Sequence, residues 1–370
     1  MERSETSRFI RDTPYASIES LSPVSESHFD FHGTRLIVTT EDAACAAFVA
    51  SDFSRFRVSP SSAVDPIRVD VSVCEPPYDR IPTGARVRFR TKDALVYESG
   101  NRRFLDSDRS LLVIQDFALD RAELFGLDRE RLCEKTYLMI MSRLAERLDR
   151  QGLHRIHAMG VVYRDRAVLC VLPMGGGKTT LTLGLLEQPG FSLLSDEAPL
   201  VGRDGRLHPF PIRLGVCEGT PLRVPDEFLK PACRSRHGPK VLIDAAYFAD
   251  RLGQAAEPGI LFVGRRTQSR DSQIAPLSFS AGGRALWESA VLGRGLPQLL
   301  EYIWRLDPRA LWAQLVIHFS RARACYRLLR QCERYELRLG CEPAANARTV
   351  ARFIAERLRE PKAAKERPIA

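Results

Sequence analysis

Apolar residues fall at every second position in several short stretches of the first third of the chain. HFDFHG, TRLIVTT, IRVDVSV, ARVRFRT, ALVYES and SLLVIQDF, between about 28 and 118, carry the alternation of half-buried strands and are separated by turn-forming residues. One helical stretch, EDAACAAFVASDF, interrupts them. The period then changes: in RLCEKTYLMIMSRLAERLDRQG, Leu132, Leu138, Met141, Leu144 and Leu148 recur at three or four residues, which predicts a helix ended by Gly152. IHAMGVVY and RAVLCVLP follow as strands joined by the charged turn RDR, the pattern of a hairpin. A glycine run, a helix from about 178 to 188 and the strand FSLLSD come next. Strand-like LIDAAYF, ILFVG and YELRLG then alternate with helices expected at about 283–292, 296–306, 309–331 and 343–359. The layout predicts a flexible segment over 1–25, a small β-rich α+β domain over 26–125 and an α/β domain over 126–370.

Composition narrows the class without changing that layout. At 44% hydrophobic and 27% charged, 370 residues can fill two or three globular domains. No apolar run reaches the ~18–20 residues of a membrane-spanning helix, and MERSETSRFIRDTPY lacks a signal-peptide core, so a cytoplasmic protein with no membrane partner is expected. Nine cysteines without a C-x-x-C pair read as buried free thiols rather than zinc ligands. The net charge of +9 suits an acidic partner: nucleotide, acidic peptide or nucleic acid. Much of the excess is arginine on helical segments such as RARACYRLLR and ARFIAERLRE. A solvated helix face accounts for it, no aromatic-basic motif accompanies it, and nucleic acid is not an expected partner.

The chemistry concentrates at LCVLPMGGGKTTLTLGLL, residues 169–186. An apolar strand runs into Met174, Gly175, Gly176 and Gly177, and a helix opens at Lys178. Glycines let backbone amides converge on an anion at the positive end of a helix. Lys178 adds a full charge for the β- and γ-phosphates of a nucleotide, Thr179 can ligate Mg²⁺, and Thr180 follows it. The pattern G-x-x-x-x-G-K-[ST] is met except at its first glycine, where Leu172 stands at the strand exit. The same letters also suit a structural turn before a helix. About sixteen residues on, LLSDE delivers Asp196 and Glu197 from the end of a strand, where one carboxylate could hold metal and another accept a proton. His157 opens the strand leading to the loop; His208 and Arg213, in GRLHPFPIRLGV, follow the acids. Arg213 could meet phosphate with its planar fork, as could Arg265 and Arg266 after ILFVG, and each also suits surface charge.

In this order, HAMGVVY-RDR-AVLCVLPMGGGKTT, LLSDE and DGRLHPFPIRLGV resemble the C-terminal domain of HPr kinase/phosphorylase and its related kinases. The loop is also similar to that of ATP-dependent phosphoenolpyruvate carboxykinase, which ends in GKTTL. The resemblance covers about 130–270. It implies a P-loop nucleotide-binding fold of that type, ATP and Mg²⁺, and transfer of the γ-phosphate to a serine hydroxyl. Position by position, it implies Lys178 and Thr179 as the loop lysine and the metal hydroxyl, and Asp196 and Glu197 as the paired acids. Asp196 becomes the base, with Thr179, Asp196 and Glu197 about the metal, and His157 and Arg213 in support. Pro211 stands where the family carries a glutamate, and Thr180 where it carries an acid. Both changes point away from phosphorylase activity and from HPr as substrate. The layout is nearer that of kinase-like proteins of peptide-modification gene clusters, which makes a small protein or precursor peptide the expected acceptor. The family's hexamers make a homo-oligomer an expectation. The competing readings are a non-catalytic, nucleotide-gated peptide-binding module and a carboxykinase-like enzyme acting on a small metabolite.

Overall fold

The alternating stretches of the first third pair edge to edge because each buries one face. The computed structural model describes residues 24–60, 65–91, 94–217, 219–220, 223–234, 238–297 and 308–358, with the side chains of 231–239 left aside. The segment expected to be loose, 1–25, lies outside them except for its last two residues, as does most of the helix expected at 296–306. Eight strands form the first sheet: β1 (Ser25–Phe31), β2 (Thr34–Thr40), β3 (Ile67–Ser72), β4 (Arg86–Arg90), β5 (Leu95–Ser99), β6 (Arg102–Ser107), β7 (Leu111–Asp116) and β8 (Arg121–Gly126), in the order β1-β2-β3-β8-β7-β6-β5-β4. His32 and Gly33 both take positive φ, the turn that matches strand twist in a two-residue hairpin. β2, β3 and β8 run parallel, with α1 (Ala43–Asp52) carrying the chain from β2 towards β3.

Helix α2 (Arg129–Gln151) starts at Asp128, whose carboxylate accepts from the Arg131 amide, and stops at Gly152 with φ +85°. Its apolar stripe packs Leu132, Tyr137, Ile140 and Leu144 against Phe29, Phe31, Val69 and Leu124 of the first sheet. Ala198, Leu200, Phe210 and Ile212 belong to the same core. The expected boundary near residue 126 is therefore a change of secondary structure with no break in packing across it.

The second half is built on a six-stranded sheet from β10 (Met159–Tyr163), β11 (Arg166–Val171), β12 (Phe191–Ser195), β18 (Glu257–Arg266), β19 (Gln273–Pro276) and β20 (Glu333–Leu339), ordered β12-β10-β11-β18-β20-β19. The expected hairpin is β10–β11. β11, β18 and β20 are mutually parallel, and β12 points the same way because both it and β11 are antiparallel to β10. Both faces are covered, so neighbouring residues go to opposite cores. Leu169 and Leu261 join α4 (Phe279–Leu286) and α5 (Pro308–Gln331), while Cys170 and Phe262 join α3 (Lys178–Leu186) and α6 (Pro343–Arg357).

Two three-stranded sheets flank it: β9 (His154–Arg155) with β13 (Leu200–Val201) and β14 (Leu207–His208), and β15 (Leu214–Cys217) with β16 (Leu229–Arg234) and β17 (Gly238–Ile243). The helix expected at 283–292 starts four residues earlier as α4 and continues as a π-helical turn over Trp287–Val291. His154 is buried between Asp149 (2.7 Å) and Ser320 (2.9 Å) and serves the packing of α2 against α5. The eight described cysteines with resolved side chains are free thiols, but Cys74, Cys217 and Cys341 are exposed rather than buried. No helix among the described residues is long and apolar enough to cross a membrane. The architecture is mixed α/β.

Candidate functional site

Strand direction gathers the residues singled out above. β11, β12, β18 and β20 end on one edge of the second sheet, and antiparallel β10 begins there. His157 (two residues before β10), the glycine loop after β11, Asp196 after β12 and Arg266 at the end of β18 therefore share that edge. Carboxyl ends of strands in such sheets are where ligands bind.

Gly175 and Gly177 sit at φ +72° and +91°, and the Gly176 amide donates to the Pro173 carbonyl (3.0 Å). Gly177 begins α3 with no side-chain cap. The helix's first amides have no intrahelical acceptor and face the loop with the positive end of the dipole. Leu172 is buried, and its side chain covers Gly264 of β18, where an added Cβ would stand 2.8 Å from Leu172 Cδ2. Met174 is 60% exposed at the tip of the loop.

The Lys178 ammonium bends back over this loop, donating to the carbonyls of Leu172 (2.8 Å) and Pro173 (3.3 Å), and lies 3.0 Å from His157 Nε2. Burial lowers its pKa, with Asp196 and Glu197 opposing. His157 is held neutral: burial first, and the neighbouring lysine second, bring it down to about 4. A neutral ring accepting at Nε2 carries its proton on Nδ1, and that buried atom has no partner among the described residues.

Asp196 is buried and receives the hydroxyls of Thr179 and Thr182, each at 2.6 Å, one on each carboxylate oxygen. Burial raises its pKa, with the two hydroxyl hydrogen bonds working the other way. The Thr179 hydroxyl also lies 3.3 Å from the Gly215 carbonyl of β15. Thr182 was not anticipated from the sequence, although its place three residues after Thr179, on the same helix face, was the available signal. A cavity of about 260 Å³ opens over the loop, with His157, Lys178, Asp196, Glu197, Lys240 and Arg266 in its wall. Thr180 lines both this cavity and a smaller one of about 70 Å³ beside Cys341.

Arg213 lines the same cavity, but its guanidinium is engaged on the side of the first sheet's helices. It is 4% exposed, and its fork donates to Asp52 of α1 (2.9 Å) and Glu134 of α2 (2.7 Å), with the guanidinium 3.7 Å above the Tyr137 ring. Each terminal nitrogen donates to a carboxylate, while the buried Nε has no hydrogen-bond partner among the described residues. Arg213 joins the first sheet's helices to the strand that lines the cavity. Arg265 faces Glu336 at 3.6 Å, and His208 lies against His32, away from the loop.

Magnesium takes hard oxygen ligands in octahedral geometry and usually keeps several waters. The Thr179 hydroxyl and Asp196 carboxylate meet that chemistry, with Glu197 in the same wall. Among the described residues no group of three or more His, Cys, Asp or Glu forms a protein-only metal cage, so the remaining ligands would be phosphate and water. Set against known protein families and curated proteins, the chain matches none of them.

Proposed function

We propose that this chain is an ATP- and Mg²⁺-dependent kinase with a P-loop nucleotide site, transferring the γ-phosphate to a serine hydroxyl of a small protein or ribosomally made peptide. The observation that carries the reading is the meeting of the Lys178 loop with the Thr179–Asp196 hydrogen bond on one sheet edge. A lone glycine turn gives no reason for a buried carboxylate aimed at the hydroxyl after the lysine.

The loop amides and Lys178 hold the β- and γ-phosphates, the ammonium leaving the Leu172 and Pro173 carbonyls to do so. His157, neutral, accepts from the ammonium and keeps it aimed into the cavity. Thr179 with Asp196 or Glu197 would hold Mg²⁺, which when bound would supply positive charge against that of the phosphates. Asp196, whose burial raises its proton affinity, takes the proton of the acceptor serine as its oxygen bonds to the γ-phosphorus and ADP departs. Each Asp196 oxygen accepts one threonine hydroxyl and keeps a second lone pair for that proton.

The engagement of Arg213 by Asp52 and Glu134 favours a second reading, a nucleotide-gated peptide-binding module, because it withdraws a cation from the reacting phosphate. Labelled-phosphate transfer from ATP to a precursor peptide encoded beside the gene separates the two. The kinase reading expects transfer that Asp196→Asn lowers by about 10²–10⁴-fold while nucleotide still binds. Tight binding without transfer supports the module, and undiminished transfer by Asp196→Asn removes Asp196 as base.

A further inference from the structure

Helix α5 turns one face into the second core through Ile317, Arg321, Ala324, Cys325, Leu328 and Leu329. Its opposite face is unusual for a surface helix. Trp312, Leu315, Val316 and Phe319 are 69%, 64%, 53% and 71% exposed, and Arg323, Tyr326 and Arg330 follow them. At 3.6 residues per turn, these positions fall within about 100° of one another and form a single stripe about 27 Å long. The stripe is apolar in its first half and cationic in its second, with Arg330 5.9 Å over the Tyr326 ring. α5 contains no Asp or Glu, and among the described residues no ion pair involves Arg323 or Arg330. Adjacent exposed aromatic and aliphatic side chains on a monomer mark an interaction surface.

We propose that this stripe docks a single amphipathic helix of an acidic partner protein, with an apolar patch for Trp312, Leu315 and Phe319 and adjoining carboxylates for Arg323 and Arg330. Charge excludes the simplest alternative, a second copy. Parallel pairing of two α5 helices sets arginine against arginine, and antiparallel pairing sets each cationic half on an apolar half. Size agrees: a strip about 27 Å by 10 Å is far below the ~800 Å² per partner of a stable dimer and fits one helix bound in the micromolar range. A membrane surface fits less well, because a helix lying in the headgroup layer carries its arginines on the polar side. Here they share the apolar face while the other side is buried in protein. The inference stands independently of the phosphotransfer reading.

The test uses the full chain and four fluorescein-labelled helical peptides. Each has leucine at i, i+3, i+4 and i+7 in one half and either glutamate or lysine on the same face of the other half, in both orders. Fluorescence anisotropy should show a glutamate peptide binding and its lysine counterpart not, with affinity falling as salt rises. Phe319→Asp, at an exposed position, should weaken binding about tenfold or more with an unchanged melting temperature. Arg323→Glu with Arg330→Glu should transfer the preference to a lysine peptide. The proposal fails if neither glutamate peptide binds, or if these variants bind as the parent does. It fails in favour of a second copy if sedimentation shows a dimer that Phe319→Asp disperses without peptide binding. Co-sedimentation with phosphatidylserine vesicles in place of peptide binding would assign the face to a membrane. Peptide binding that emerges only when residues 298–307 are replaced by a Gly-Ser linker would assign it to that segment.

Discussion

Replacing Arg213 with methionine tests the joint between the two halves, because it removes one charge from a site that holds three. The guanidinium is buried between Asp52, 2% exposed, and Glu134, whose side chain is 24% exposed. Removing one partner of a buried pair costs about 3–5 kcal/mol, chiefly because the remaining charge is left uncompensated. The lost contact with the Tyr137 ring adds about 0.5–2 kcal/mol. Glu134 can rehydrate, but Asp52 cannot.

That asymmetry makes the effect depend on pH. Burial already brings the Asp52 pKa up to about 6, against an ordinary value of 3.8, even with Arg213 beside it. The folded state therefore holds this proton more tightly than the unfolded one. The resulting stability is fully present below about pH 4 and disappears as pH rises through about 6, a change of about 3 kcal/mol at 1.36 kcal/mol per unit. Without Arg213 the pKa moves higher still, because the principal influence lowering it is gone. Denaturant unfolding of the parent and Arg213→Met should thus differ modestly at pH 5 and by the full amount at pH 8. A difference that stays below about 1 kcal/mol, or that does not grow with pH, would refute a charged, buried pairing at this joint.

Three smaller predictions concern the loop. Lys178→Met should weaken binding of a fluorescent ATP analogue by about 10²-fold, since it removes the ammonium bonded to the loop's own carbonyls; an unchanged Kd contradicts the phosphate assignment. The His157 ring resonances in NMR should not titrate between pH 5 and 8, because its proton affinity is depressed to about 4. The stability linked to the neutral ring is present above about pH 6.5 and lost as pH falls through 4, and a titration midpoint near 6.5 would show the ring to be solvated. Gly177→Ala should cost about 1–2 kcal/mol in urea unfolding through the positive φ alone, as the nearest atom to the new methyl, Leu339 Cδ1, lies 3.9 Å away.

Local signals carried the parts of the fold that are locally determined. The β10–β11 hairpin, the glycine turn into α3 and the strand delivering Asp196 follow from alternation, punctuation and spacing within about forty residues. β6 and β8 escaped because NRRFLDS and RAELFG place charges among their apolar residues, and their pairing with β7 supplies what their own pattern lacks. The pairing of Asp196 with Thr182 was legible in principle from helix periodicity. Arg213 was not: Asp52 and Glu134 lie 161 and 79 residues away in the chain, and no local pattern foretells which carboxylates a buried arginine will meet. An exposed apolar stripe is equally hidden, since α5 carries apolar residues and arginine on both faces and only the fold says which is covered.

Leu172 and Gly264 make the loop's departure from the common pattern a trade between two strands. The leucine fills a notch that exists only because the neighbouring strand carries no side chain there. The two positions are thus volumetrically linked: a methyl at 264 would push Leu172 outward and carry the start of the loop with it, and a glycine at 172 would leave a void beneath. In a lineage of such chains, drift at one position would have to be answered at the other, and the loop's first letter would record the history of a different strand.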